Sequence, residues 1–249
     1  MCTLETRKIT KHFDGVYAVD GLSITFGKGK ITGLVGPNGS GKSTLINLLT
    51  GVYQFDKGSV VVSSEEIKKL KPHEVADFGI TRTFQDVRLF EQMPVLDNIL
   101  VVLTKRNVAS SLFENHKKFH LDRAEEVLKK VNLLEKRIEL AKNLSYGQRK
   151  LLEIGRALAM AEGFGNNATL FFFDEPFAGL FPEMRKVVVG VIEHLKQNGK
   201  TVVLVEHNMD IIRELCDHLI ILDAGKLLAE GEPNHVLGMK EVMDAYLGE

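Results

Sequence analysis

The 249-residue sequence predicts an α/β fold: a parallel sheet in its second half, a small antiparallel sheet at its start and a helical middle. Three observations predict it. From residue 170 onward, short apolar runs alternate with a helix-spaced segment. Residues 1–30 and Gly58–Val62 carry short alternating strands punctuated by glycine and Asp-Gly. Between them, Val95 to Ala161 is mostly of helical spacing.

Taken in order, Ile31–Val35, Leu170–Phe173, Thr201–Val205 and Leu219–Leu222 read as strands buried on both faces. Pro182–Lys196 carries Met184, Val187, Val188, Val191 and Leu195 at helical spacing, opens on proline and is followed by Gly199. The order strand, helix, strand calls for a parallel sheet with right-handed crossovers. Ligands are then expected at the C-terminal edge of its strands. In the middle, Leu121, Ala124, Leu128 and Val131 share one helix face, with Glu125/Lys129 and Glu126/Lys130 paired on the solvated one. Thr104–Phe119 is the most loop-like stretch, and Glu241–Leu247 reads as a short packing helix.

Composition excludes several classes. The balance of 32 Lys+Arg against 33 Asp+Glu gives a net charge of −1 and no electrostatic reason to expect a dedicated nucleic-acid binder. No apolar run approaches the 18 or so residues of a membrane span, and the first eight residues lack the apolar core of a signal peptide. Cys2 and Cys216 make no disulfide framework and suit a reducing compartment.

Chemistry enters at Gly36–Thr44, which fits GxxxxGK[ST] at Gly36, Gly41, Lys42 and Ser43. A buried strand precedes it and a helical segment, Ser43–Thr50, follows, as a phosphate loop requires. Gly36, Gly39 and Gly41 let backbone N–H groups turn inward, with Asn38 and Ser40 between them, and a helix N-terminus adds positive potential. Lys42 can bridge terminal phosphates, Ser43 can offer its hydroxyl to Mg²⁺, and Thr44 closes the motif. A dinucleotide fingerprint fails, because its glycines would fall on Lys42, Ser43 and Thr44.

Leu170–Phe173 runs into Asp174 and Glu175. Alone, that is equally a buried strand entering a polar turn. Beside a phosphate loop, Asp174 suits Mg²⁺ and Glu175 suits the polarisation of an attacking water. Ser145 and Gln148 make an S-x-x-Q capping box for a helix over Gly147–Met160, which also sets Ser145 and free amides at a second anion site.

With these motifs in order, the whole chain resembles the nucleotide-binding subunits of ABC transporters. The Walker A loop, a signature at Leu144–Gln148, a Walker B strand ending in Asp174 and Glu175, and an intervening Gln85 follow the family's order and spacing. His207 falls where the family has its switch histidine, and Phe13 where an aromatic stacks on adenine. The resemblance implies a P-loop NTPase (RecA-like) core with a parallel sheet, an N-terminal antiparallel β subdomain and a helical subdomain at about 86–161, all one nucleotide-binding domain spanning 1–249. It implies ATP and Mg²⁺ as ligands, with Ser43, Gln85 and Asp174 toward the metal. It further implies a head-to-tail homodimer, or a heterodimer with a paralogous ATPase, in which Ser145, Gly147 and Gln148 of one subunit meet the nucleotide of the other. Transmembrane permease subunits would be the partners, received in a groove near Phe84, Val87, Leu89 and Phe90, on the cytoplasmic face of the inner membrane. No nucleic acid is expected.

Within the family, Gly79–Gln85, Leu144–Gln148, Val205–Met209 and Ala245–Glu249 are similar to the ATP-binding subunits of branched-chain amino-acid importers. The ending and the turn Phe177–Leu180 also resemble the lipopolysaccharide-export ATPase. Members acting in DNA repair or translation carry coiled-coil inserts or paired nucleotide domains that 249 residues do not hold. Three departures stand out: Tyr146 for a signature glycine, Phe181 for a polar residue, and a long polar turn at Ala161–Ala168. His116 and His120, at i,i+4, lack an evident third metal ligand.

Overall fold

The computed structural model describes residues 2–83, 87–103, 117–162 and 168–247. They form two compact units: Met1–Arg82 with Thr169–Glu175 and Lys196–Glu249, and Thr83–Ala168 with Pro176–Leu195.

The first unit holds two sheets. The larger has β4 (Ile31–Val35), β7 (Ile80–Arg82), β8 (Leu170–Asp174), β9 (Thr201–Val205), β10 (His218–Asp223) and β11 (Lys226–Gly231), in the order β11-β10-β4-β9-β8-β7. All its pairings are parallel except that of β10 with β11. β4, β8 and β9 are buried at every residue, which is why their sequences are mostly apolar rather than alternating, with Thr32 and Gly33 inside β4, Thr201 opening β9 and Asp174 closing β8 as the exceptions. The smaller sheet is antiparallel: β1 (Cys2–Phe13), β2 (Val16–Leu22), β3 (Thr25–Gly27), β5 (Lys57–Val62) and β6 (Glu65–Ile67), as the glycine-punctuated segments predict.

One core joins these layers. Phe172, Val203, Val205, Leu34 and Ile220 of the parallel sheet pack with Leu45, Ile46, Leu48 and Leu49 of α1 (Lys42–Leu49) and with Leu4, Ile9, Phe26 and Val60 of the antiparallel sheet. Phe26 and Phe172 meet edge to face at 6.0 Å. Each such fully buried side chain contributes about 1.5–3 kcal/mol. β4 is thereby fixed near the middle of the sheet, and the loop that follows it starts from rigid ground.

The second unit contains α2 (Val95–Leu103), α3 (Lys117–Lys130), α4 (Tyr146–Glu162) and most of α5 (Pro182–Gln197). Lys117–Phe119 are helical, where the sequence reads as loop; Thr104 to His116, including the His116 of the histidine pair, lies outside the described residues. Ala161 and Glu162 continue α4, so the polar turn starts later than expected, and 163–167 also lies outside. Asn98 is fully buried and clips the segment ahead of α2: Oδ1 accepts from Phe90 N at 2.9 Å, and Nδ2 donates to Phe90 O at 3.1 Å and Pro94 O at 3.0 Å. α5 buries Val188, Val191, Ile192 and Leu195 on the stripe its spacing predicts.

The chain closes with α6 (Met209–Leu215), α7 (Pro233–Leu237) and α8 (Lys240–Leu247) in the first unit. No helix among the described residues is long and apolar enough to cross a membrane. Cys216, at the end of α6, is buried, and its thiol is pushed up to about 12, by burial first and by Asp217 and Glu206 next. The unfolded thiol titrates near 9, so the stability this group contributes is complete below pH 9 and drains away as pH rises toward 12. A Cys216→Ala chain is therefore expected to lose less thermal stability between pH 8 and pH 10 than its parent. In a Cys2→Ser background, Cys216 should resist iodoacetamide at pH 8.5 until the protein is unfolded.

Candidate nucleotide site

The C-terminal ends of β4, β9 and β8 lie side by side, so the loop after β4 and the acids ending β8 are two strand spacings apart, about 10 Å. The loop has no room for side chains at two positions. Gly36 sits at φ +156°, where a Cβ would lie 2.2 Å from Leu222 O. Gly41 sits at φ +99°, where one would lie 2.3 Å from Ala18 O. Within the loop, Ser40 is buried and donates its N–H to Pro37 O at 3.2 Å, while Asn38 and Gly39 stand exposed at its tip.

α1 opens at Lys42, one residue earlier than expected, with Gly41 as its cap. Lys42 is only 8% exposed, and its ammonium donates to Gly36 O at 2.7 Å, Pro37 O at 2.9 Å and Ser40 Oγ at 3.4 Å. It is therefore held across the concave side of the loop, at the start of a helix whose dipole favours anions. Ser43 presents its side chain to solvent on the first turn, and Thr44 is half-buried behind it.

Asp174 ends β8 with 7% exposure, opposite Val205. Glu175 follows at φ +47°, a left-handed conformation that costs a non-glycine residue about 1–2 kcal/mol. Its N–H donates to Val205 O at 3.0 Å, and its Oε1 lies 3.1 Å from Nε2 of His207. The geometry joins the three sequence candidates of these two strands. Gln85, with Phe84, falls outside the described residues.

Phe13 ends β1 with 40% exposure, its ring 5.3 Å from Tyr53 edge to face and under the Lys11 ammonium at 5.2 Å. Asp56 anchors this corner by accepting from His12 N and Lys11 Nζ, both at 2.9 Å. Those bonds, the backbone one first, hold its carboxyl down at about 2.

In the second unit the capping box forms as drawn: Gln148 N donates to Ser145 Oγ at 3.3 Å and Ser145 N to Gln148 Oε1 at 3.0 Å. Ser145 is exposed at the head of α4, whereas Gly147 is buried under Met184 and Leu180. Tyr146, the departure from the signature, lays its ring over Gly179 and is 54% exposed. Phe181 follows at 76% exposure. Of the expected groove, Phe90 is exposed with the Arg156 guanidinium 5.2 Å from its ring centroid, and Val87 and Leu89 are half-buried.

Sequence reasoning overlooks Arg82, whose guanidinium reaches α1 and Asp174 together. The one available signal is a charge at the end of the short buried run Ile80–Arg82.

A glycine loop between a buried parallel strand and a helix, with two acids ending a nearby strand, defines a P-loop nucleotide-binding ATPase. Residues 19–178 match the family model described as ABC transporter. The chain belongs to that family and is one of its ATP-binding proteins, an ABC ATPase. It is 34% identical to the "Probable branched-chain amino acid transport ATP-binding protein LivG" of Archaeoglobus fulgidus, over 100% of this chain and 96% of that one. It is also 34% identical to the "High-affinity branched-chain amino acid transport ATP-binding protein BraF" of Pseudomonas aeruginosa, over 99% and 98%. Among solved structures it resembles the ADP conformation of MJ1267, an ATP-binding cassette of an ABC transporter, with a TM-score of 0.84 and 36% identity over the whole of both chains.

Proposed function

We propose that this chain is the ATP-hydrolysing subunit of an importer of branched-chain amino acids, working as a head-to-tail dimer, homomeric or with a paralogous ATPase. It would sit on the cytoplasmic face of the inner membrane beneath permease subunits. The observation that carries the ATPase half is the Lys42 ammonium drawn over a closed glycine loop beside Asp174 and Glu175. The substrate half rests on full-length likeness to proteins named for that transport.

The residues present fit Mg²⁺. The Ser43 hydroxyl and Asp174 carboxylate are oxygen donors of the kind a small hard cation takes, and phosphate oxygens and water would complete the set. Such a cation neutralises charge on the transferred phosphoryl group. Gln85 is assigned to the same cation or its water. Phe13 stacks on adenine, the loop amides and Lys42 take the phosphates, and Glu175 accepts the proton of the attacking water. His207 holds the Glu175 carboxylate in place and supports the γ-phosphate. Ser145, Gly147 and Gln148, at the head of α4, supply the anion site that a second subunit's nucleotide would use.

Radiolabelled leucine uptake tests the cargo in cells carrying Glu175→Gln in place of the parent chain. Uptake of leucine, isoleucine and valine is expected to fall to background while unrelated transport persists. Unchanged uptake, with lipopolysaccharide accumulating at the inner membrane, would move the assignment to the export-type ATPase.

A further inference from the structure

β7 and β8 run parallel with Arg82 opposite Phe172. Side chains alternate along strands, so Arg82, Phe172 and Asp174 share one face of the sheet. That face packs on α1. There Nη1 of Arg82 donates to Oδ1 of Asn47 at 2.7 Å and to Oγ1 of Thr50 at 3.0 Å, two residues one helical turn apart. The Thr50 hydroxyl is itself fixed, donating to Ile46 O at 2.7 Å. Nη2 of Arg82 stands 3.8 Å from Oδ2 of Asp174, within ion-pair range but beyond a hydrogen bond. The two side chains are 12% and 10% exposed, so little water screens the pair. The helix that begins at the phosphate loop thus holds this cation just short of closing on the carboxylate.

We propose that Arg82 is a positioning residue for the metal carboxylate. Tethered to α1, it sets a fixed positive charge beside Asp174 without hydrogen-bonding to it. The charge offsets the carboxylate before any metal arrives and opposes a divalent cation that comes alone. A cation arriving on a nucleotide brings phosphate charge that outweighs Arg82, so metal capture becomes conditional on nucleotide. This rests on the assignment of Asp174 and Ser43 to Mg²⁺.

Mn²⁺, which shares the octahedral oxygen preference of Mg²⁺, is a paramagnetic probe for the test. Its binding is titrated by electron paramagnetic resonance on the nucleotide-free chain and on the chain saturated with ADP. Arg82→Met is expected to tighten Mn²⁺ binding to the nucleotide-free chain about tenfold, whereas Arg82→Lys, which keeps the charge, stays within about twofold of the parent. Asn47→Ala should shift the ADP-loaded chain the other way, by about threefold, because a guanidinium that has lost its Asn47 bond closes on Asp174. A residue that merely held the fold together would weaken metal binding in every variant. Equal or weaker Mn²⁺ binding by Arg82→Met overturns the proposal. If that variant does not fold, unchanged binding by Asn47→Ala overturns it instead. A parent chain that takes up no Mn²⁺ even with ADP would remove the metal assignment itself, and Arg82's role with it.

Discussion

Glu175→Gln is expected to lower steady-state ATP hydrolysis by about a thousandfold, the loss of one positioned proton acceptor, while ATP binding survives. The substitution is nearly isosteric, and an amide oxygen can still accept from His207 across the 3.1 Å contact, so the local fold persists. The amide does not take up a proton from water. ATP then stays bound, and the ATP-loaded variant should elute from size exclusion at dimer mass. Phosphate release and elution volume read the two effects separately. A variant that stays monomeric in ATP would count against the shared-site arrangement, and one that still turns over would remove Glu175 from the chemistry.

Lys42→Ala is expected to weaken ATP binding by more than about a hundredfold, through two effects that the structure separates. The first is the loss of the cation proposed to meet the terminal phosphates. The second acts before any nucleotide arrives. Lys42 satisfies Gly36 O and Pro37 O inside the loop, and charged hydrogen bonds of this kind contribute about 1.5–3 kcal/mol each. Without it, those carbonyls point into a hole and the loop loses its template. A fluorescent ATP analogue measures the first effect, and a fall in melting temperature without nucleotide measures the second. Retained micromolar ATP binding would contradict the first; an unchanged melting temperature would contradict the second.

Much of this was legible because it depends on near neighbours. Burial on both faces leaves β4, β8 and β9 mostly apolar and without alternation, and the loop from Gly36 to Lys42 is read from spacing alone. The Ser145–Gln148 cap is a four-residue device and forms as its pattern says. What sequence misses is long-range. Arg82 lies 92 positions before Asp174, and only the register of β7 against β8 brings the two onto one face. Tyr146 looks like a weakened signature until its ring is seen over Gly179, 33 residues away. Helix ends drift for a different reason: Lys117 and Lys118 are polar residues of good helix propensity that periodicity does not distinguish from a solvated loop.

The left-handed backbone at Glu175 has a consequence for how this protein can change over generations. Glycine would occupy φ +47° without the penalty a side chain incurs. A Glu175→Gly replacement would then relieve strain of about 1–2 kcal/mol while removing the carboxylate proposed as proton acceptor. With that role, stability and turnover pull in opposite directions at this single position. Selection for heat resistance alone would favour a tougher, idle cassette, and only continued demand for turnover would keep the carboxylate there.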